Sequence, residues 1–109
     1  MSHGYLRTAD GAITEYDVPG AGTGSGQGTT GLCINPAGTI VGYYLDANNV
    51  NHGYVRAPKG EITTIDVPGS GTRSGQGTNP FPGSINPAGA IAGTYIDASG
   101  VQHGFLRIP

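Results

Sequence analysis

The chain has 109 residues, with 21 Gly, 8 Pro, six Tyr, a net charge of −2 and only 11% charged residues, which suits one ordinary domain at residues 1–109. Five basic residues argue against a nucleic-acid partner, because phosphate binding needs clustered Lys and Arg, and no apolar run approaches the length of a membrane span. Abundant Gly and Pro beside many β-branched and aromatic residues indicate a turn-rich all-β protein rather than a disordered chain.

Nine short β-strands are predicted in chain order, and no segment shows the helical period of apolar residues. The chain opens with the strand sequence "HGYLR" and continues to "ITEYDV". Four strands follow, "GLCIN", "TIVGYYLD", "NHGYVRA" and "EITTIDV", separated by the turn sequences "PAG", "ANN" and "PKG". After a long glycine-rich stretch, three further strands complete the chain.

The sequence repeats with a period of about 50 residues, which is in the range of propeller blades. Residues 3–51 align with residues 52–102, and a third copy begins at residues 103–109 with "HGFLRIP". Four antiparallel strands joined to the next four by one longer link are typical of a propeller blade. With strands lettered a to d from the axis outward, the chain is predicted to run c, d, then a, b, c, d, then a, b, c.

Two blades cannot close into a ring, since propellers usually have roughly four to eight. We therefore expect a cyclic homo-oligomer in which the terminal strands of neighbouring copies complete a blade. Three chains would give about six blades, and this trimer is favoured over the dimer with four or the tetramer with eight. Strand c is present at both ends, so one copy must be displaced, add to an edge or swap into a neighbour.

The phrases "INPAG", "HGYVR" and "HGFLR" resemble the HAF-type extracellular repeats of large bacterial proteins, and the resemblance covers essentially the whole chain. It implies a secreted bacterial protein built of blade-like repeats, although no signal peptide precedes the first repeat. It implies little about activity. The chain has "HGF" and "HGY" where the family motif has "HAF", and it has far fewer repeats than typical members.

Histidines recur at one position of the repeat, and imidazole is the commonest protein metal ligand. Each Asp of a b–c hairpin could face the His that follows it. The candidate ligands for zinc or calcium are His3, His52, His103, Asp46 and Asp97. Strand spacing of about 4.8 Å puts a third strand too far out for the three rings to converge on the axis. The alternative is an Asp that bonds turn N–H groups and a His that packs at a strand start.

Other motifs have simpler interpretations. Asp17 and Asp66 end strand d before Val-Pro-Gly, where they could join a calcium site or cap a turn. The glycine-rich stretches lack the spacing of a phosphate-binding loop, so they are predicted to be flexible links from one blade's rim to the next blade's inner strand. Cys33 is predicted to pack as a small buried residue.

Differences between the repeats mark where one surface is specialised. Arg73 replaces Gly24, Tyr43 stands opposite Thr94, and the second copy has two extra residues within "NPFPG". Phe81 of that insertion and Arg73 are placed on the d–a link, which shares one face with the b–c hairpins in a propeller. The ligand-site candidates on that face are Arg73, Phe81, Tyr43, Asp46 and Asp97.

Three functions remain open. The first is a non-enzymatic binding or scaffold module that presents the repeated loop face to a small ligand or carbohydrate. The second is a small hydrolase, lactonase- or phosphotriesterase-like, with a His- and Asp-bound divalent metal at the propeller mouth. The third is a duplicated fragment without a selected function.

Overall fold

In the computed structural model, the backbone of residues 1–109 is described, together with all side chains except those of residues 81–84. The described backbone forms nine β-strands in two sheets and no helix, which confirms the predicted all-β class. Accordingly, no helix in the described chain has the length and apolar character to cross a membrane. The strands are β1 (Gly4–Arg7), β2 (Ile13–Tyr16), β3 (Gly28–Ile34), β4 (Ile40–Leu45), β5 (Asn51–Arg56), β6 (Ile62–Ile65), β7 (Gly77–Ile85), β8 (Ile91–Ile96) and β9 (Gln102–Arg107).

Strands β3 to β6 pair antiparallel in chain order, and we call them the middle unit. Tight turns join them, because Pro, Gly, Asn and Asp occur where the chain must reverse. At the first turn, Asn35 Oδ1 accepts a hydrogen bond from the N–H of Thr39 at 3.0 Å. At the second, Asp46 Oδ1 accepts from the N–H groups of Asn48 at 2.8 Å and Val50 at 3.1 Å.

The chain on either side of the middle unit forms fewer strands. Before it, β1 and β2 make a separate two-stranded sheet, the N-terminal unit. After it, β7, β8 and β9 pair antiparallel in chain order as the C-terminal unit. The β1–β2 pair repeats the register of β5–β6, since Gly4 lies opposite Tyr16 as Gly53 lies opposite Ile65.

Two strands, β3 and β7, begin clearly earlier than the sequence predicts. Strand β3 begins at Gly28 rather than at Gly31, because β-branched Thr29 and Thr30 extend the ladder opposite β4. Strand β7 spans Gly77–Ile85, so Phe81 falls within a strand and not on the preceding link. A register shift between Asn79 and Ser84 accommodates the extra residues there. The side chain of Phe81 lies outside the described residues.

Successive units are joined by the same short parallel bridge. Ser2 bridges Gly28, and Asn51 bridges Gly77. In each case the first residue donates its N–H at 2.8 Å to the residue before the glycine. Gly28 and Gly77 have positive φ values of 117° and 108°, and a Cβ on either would lie 2.2 Å or less from a backbone oxygen. Only glycine allows the two backbones to approach this closely.

The core consists of two apolar clusters, one on each side of the middle unit. On the N-terminal side, Tyr54 from β5 meets Tyr16 from β2 edge to face at 6.1 Å between ring centroids. The Tyr54 hydroxyl lies 2.7 Å from that of Tyr16 and donates to the carbonyl of Thr30 at 3.1 Å. On the other side, Val41 and Ile91 are fully buried where the middle and C-terminal units pack together. The middle unit is therefore covered on both faces.

Candidate functional site at the loop face

Two glycine-rich links, residues 17–28 and 66–77, carry the chain from one unit to the next. In the first link, Gln27 Oε1 accepts a hydrogen bond from the N–H of Gly24 at 2.9 Å, which closes a tight turn. The Nε2 atom of the same side chain donates to the carbonyl of Ala47 at 3.2 Å. This glutamine therefore fixes the turn of the link and attaches it to the hairpin after β4.

The second link repeats this arrangement. Gln76 Oε1 accepts from the N–H of Arg73 at 3.2 Å, and its Nε2 donates to the carbonyl of Ala98 at 3.3 Å. The N–H of Gly75 also donates to the carbonyl of Asn49 at 2.9 Å, which ties the second link to the hairpin of the middle unit. These bonds hold both links against the hairpins. The links and hairpins lie side by side on a surface that we call the loop face, made of residues 17–28, 46–50, 66–77 and 97–101.

The predicted ligand-site residues are distributed unevenly over this surface. Arg73 lies on the second link with an exposed side chain. Asp46 and Asp97 lie in the two hairpins, where each carboxylate bonds turn N–H groups. Tyr43 is half-buried within β4 opposite Gly53, so it belongs to the sheet rather than to the loops. The structure thus brings Arg73, Asp46 and Asp97 to one face and leaves Tyr43 away from it.

In the middle unit, His52 connects two carboxylates from different connections. Its Nε2 lies 2.8 Å from Asp46 Oδ2 in the hairpin, and its Nδ1 lies 2.7 Å from Asp66 Oδ1 at the end of β6. The imidazole also stacks on Tyr44, with 4.8 Å between centroids and 22° between planes. We call Asp46, His52 and Asp66 the bracket. It ties the hairpin to the outermost strand.

The contacts within the bracket shift the pKa values of His52 and Asp46. Burial lowers the pKa of the His52 imidazole, but hydrogen bonds to Asp46 and Asp66 outweigh it, so the pKa lies above the ordinary 6.5. Burial raises the pKa of the Asp46 carboxyl, but hydrogen bonds from His52, Val50 and Asn48 outweigh it, so that pKa lies below 3.8. A carboxylate only accepts hydrogen bonds, so both ring nitrogens of His52 must carry protons to satisfy it. Below its raised pKa, the His52 imidazolium therefore lies between the side chains of Asp46 and Asp66, within hydrogen-bond distance of both.

The terminal units each hold one half of the bracket. In the N-terminal unit, His3 Nδ1 lies 2.9 Å from Asp17 Oδ1, and no hairpin precedes β1 in the described chain. In the C-terminal unit, His103 Nε2 lies 2.9 Å from Asp97 Oδ2 and its ring stacks on Tyr95 at 4.9 Å. Each half keeps the nitrogen assignment of the complete bracket. Nδ1 of His3 faces Asp17, the carboxylate after β2, and Nε2 of His103 faces Asp97, the carboxylate of the hairpin.

These contacts bear on metal binding. A histidine ligand needs an unprotonated ring nitrogen, and both nitrogens of His52 face carboxylates as donors. Among the described residues, the group whose ligand atoms all lie within 4.8 Å of one another is His3, Glu15 and Asp17, all exposed. The bracket is therefore suited to holding the fold, and among the described residues it is the exposed N-terminal group whose ligand atoms lie close enough together to share one metal ion.

Sequence reasoning missed the second carboxylate of the bracket. Asp17 and Asp66 were expected to cap a turn or join a calcium site, yet each meets a histidine 14 positions away in sequence. It also missed the stacking of Tyr44 and Tyr95 on the following histidines. The sequence did carry a signal for these contacts, because the His–Asp pairs and the Tyr–His pairs each occur twice, at equivalent positions of the repeat.

Comparison with protein-family models, with curated proteins and with solved structures found no match for this chain. The resemblance to HAF-type repeats stays a prediction.

Proposed function

We propose that this protein is a self-associating β-propeller scaffold module that presents its loop face to a small ligand or glycan. Each chain contributes two four-stranded blades, and a cyclic homo-oligomer completes the ring, with a trimer of about six blades favoured. The observation that carries the proposal is the middle unit, which has four antiparallel strands in chain order and apolar clusters on both of its faces.

The faces of the terminal units support self-association. In the C-terminal unit, Leu106 is 67% exposed and Ile108 is 68% exposed. In the N-terminal unit, Tyr5 is 69% exposed and Ile13 is 65% exposed. Exposed apolar patches on a soluble domain mark interaction sites or aggregation-prone surfaces. Within one chain, the middle unit packs against the N-terminal unit on one face and against the C-terminal unit on the other. In an assembly, the N-terminal unit of one copy would pack in the same way against the C-terminal unit of the next copy.

The loop face supports a binding role rather than catalysis within one chain. Its hydrogen-bonded links form a rigid surface, and a rigid surface that recurs around a ring adds avidity to weak contacts. Arg73 is the one basic side chain on this surface among the described residues. A guanidinium suits hydroxyl-rich or anionic ligands, because its planar donors pair with carboxylate and phosphate oxygens.

Self-association is tested by multi-angle light scattering on the untagged 109-residue chain over a range of concentrations. We expect a single species at three times the chain mass of 11.0 kDa. A mass of two or four chains would still be consistent with a closed ring, of about four or eight blades instead of six. A folded monomer at all concentrations contradicts the proposal.

Ligand binding is tested on a glycan array with the native protein and with Arg73→Gly. Gly24 is the equivalent residue of the first link, so the variant reproduces a turn that the chain already contains. We expect retention of one class of acidic or neutral glycan and at least a tenfold loss in the variant, equal to about 1.4 kcal/mol. Gly24→Arg is the matched control, and it should preserve or increase retention. Absence of retention on every glycan removes carbohydrate from the proposal.

A metal-dependent hydrolase, lactonase- or phosphotriesterase-like, is the second candidate. The observation that favours it is the convergence of His3, Glu15 and Asp17 at one exposed site. Elemental analysis of untagged protein, with assay of an activated ester, tests it. Stoichiometric zinc or calcium that is lost together with turnover in His3→Ala, and retained in His52→Ala, would favour the hydrolase over the scaffold.

A further inference from the structure

The two halves of the bracket are complementary. The C-terminal unit supplies the hairpin carboxylate Asp97 and the imidazole His103, with Nε2 engaged. The N-terminal unit supplies Asp17 after strand β2, in contact with a histidine Nδ1. We infer that β9 of one copy displaces β1 from β2 of a neighbouring copy, so that Asp97, His103 and the partner's Asp17 complete an interchain bracket. This inference rests on the proposed self-association and specifies its interface.

The register of the exchanged pair follows from pairings already in the chain. Strand β1 reads "GYLR" and β9 ends "GFLR", so the two differ at one aromatic residue. In β1–β2, Gly4 lies opposite Tyr16 and Arg7 lies opposite Ile13. By substitution, Gly104 lies opposite the partner's Tyr16, and Arg107 lies opposite the partner's Ile13. The exchange therefore keeps the strand pairing that β2 already has.

The absence of a side chain at Gly104 suits this exchange. A Cβ on Gly4 would lie 2.5 Å from the Tyr16 ring, because that ring lies across the glycine. Gly104 has the equivalent position, but it is exposed, and a Cβ there would meet only the carbonyl of Gly93 at 3.9 Å. Nothing in the described residues of one chain requires a glycine at 104. A tyrosine from strand β2 of a second copy would require it.

A groove lies between the end of β6 and the C-terminal half of β9. It has a volume of about 370 Å³ and is bordered by the end of β6 and by Phe105 to Ile108. A larger cavity of about 520 Å³ lies between β1 and β3, where the inner strands of the N-terminal unit would lie. We expect strand β2 of a second copy to pair along the free edge of β9, which is the last strand in the order of its sheet.

The backbone bridge between units supplies a further contact. Ser2 and Asn51 each donate an N–H to the residue before a glycine of the next unit, at 2.8 Å. Gln102 is the third residue of this series, and no equivalent bridge forms within the described residues. When β9 takes the place of β1, the N–H of Gln102 meets the carbonyl of the partner's Gln27 in place of Ser2.

Two glycine variants separate exchange from simple stacking of intact chains. Gly104→Ala puts a methyl group where the partner's Tyr16 ring must lie, so we expect association to weaken about tenfold or more while the monomer stays folded. Gly4→Ala crowds Tyr16 within one chain and favours release of β1, so we expect association to be unchanged or stronger. The dissociation constant is measured by sedimentation equilibrium. The reverse pattern, with Gly4→Ala weakening association and Gly104→Ala having no effect, overturns the inference.

Disulfide trapping gives an independent readout in a Cys33→Ser background, Ser being the residue at the equivalent position 84. Thr14→Cys with Leu106→Cys places two thiols at directly opposed positions of the exchanged pair, where Cβ atoms lie about 5 Å apart. We expect covalent oligomers after mild oxidation. Thr14→Cys with Leu6→Cys is the control and should give few intrachain disulfides in the assembled protein.

The outcomes distinguish this inference from the proposed function. Oligomers in which the Leu6→Cys and Thr14→Cys thiols join within one chain, while the interchain pair stays reduced, leave the scaffold proposal intact and overturn the exchange. A chain that stays monomeric and forms no interchain disulfide overturns both. Oligomers with the interchain disulfide support both.

Discussion

Tyr54 in the middle unit and Tyr5 in the N-terminal unit occupy the same place in the phrase His-Gly-Tyr. Tyr54 is 0% exposed and Tyr5 is 69% exposed. The difference comes from their neighbours, since β5 is paired on both sides and β1 is paired only with β2. The ring of Tyr54 lies over Gly42 of the adjacent strand, a surface that β1 lacks. In this protein the contribution of a repeated residue depends on which strands flank it.

The largest expected effect tests this contrast directly. Tyr54→Ala removes a buried ring and its hydroxyl contacts to Tyr16 and Thr30, and should lower the free energy of unfolding by about 3–5 kcal/mol. Tyr5→Ala should cost less than about 0.5 kcal/mol. Urea unfolding at a fixed protein concentration measures both. Equal losses in the two variants would mean that the N-terminal unit is as well packed as the middle one.

The second effect concerns the bridge between the middle and C-terminal units. Gly77→Ala combines a positive φ with a Cβ only 2.0 Å from the carbonyl oxygen of Asn51, and should cost about 3 kcal/mol. Gly26→Ala is the matched control, because its φ is also positive but nothing lies within 4 Å of its Cβ. It should cost about 1 kcal/mol. Similar costs for the two would show that backbone strain, and not close approach, dominates.

The third effect is the pH dependence of stability, compared between the complete bracket at His52 and the partial one at His103. His52 has a pKa above 6.5 in the folded state, so its stabilisation is fully present below pH 6.5 and is lost as pH rises through the folded pKa. Asp46 has a pKa below 3.8, so its stabilisation is present above pH 3.8 and is lost as pH falls through the folded value. Between these limits both groups are charged.

The native protein should therefore lose about 1 kcal/mol of unfolding free energy as the pH rises above 6.5, and His52→Asn should not show this loss. His103→Asn is the matched substitution in the partial bracket. The measurement is the unfolding midpoint from about pH 4 to about pH 9, which spans both transitions. A variant lacking His52 that keeps the native pH profile would show that the bracket does not contribute to stability.

The smallest effect concerns the outermost strand. Tyr44→Phe removes a hydroxyl that lies 3.2 Å from Thr64 Oγ1 of β6, and should cost up to about 1 kcal/mol. Tyr95→Phe should cost almost nothing in an isolated chain, because the C-terminal unit has no fourth strand to supply an equivalent of Thr64. Thermal unfolding of both variants gives the comparison, and a larger loss for Tyr95→Phe would reverse it.

Much of the fold could be predicted from local sequence. Alternating β-branched residues and the punctuating Pro-Ala-Gly, Asn-Asn and Pro-Lys-Gly turns locate β4, β5 and β6 to within two residues or fewer of their observed ends. These signals are local, since a turn needs only its own residues to adopt the required φ and ψ angles. The exceptions are β3, which begins at Gly28 rather than at Gly31, and β7, where an insertion with two prolines was assigned to a link and instead forms part of a strand.

The candidate site was less predictable because its contacts depend on register between strands. Asp66 meets His52 only because β6 pairs with β5 so that Ile65 lies opposite Gly53. A shift of one residue would turn every side chain of β6 to the other face. The roles of Gln27 and Gln76 were missed for a similar reason, since their partners lie in hairpins 20 or more positions away in sequence.

The paired hydrogen bonds of Gln27 and Gln76, each to its own link and to a hairpin, affect how the loop face can vary. In each link, the side-chain amide of Gln27 or Gln76 bonds to a neighbouring hairpin and so fixes the backbone path. The side chains at the turn of the link do not take part in this bond. The clamped position is glycine in one link and Arg73 in the other, with the same side-chain to main-chain bond in both. Gly24 and Arg73 therefore share one backbone path despite their different side chains, which makes positions 24 and 73 natural sites for diversifying a recognition surface.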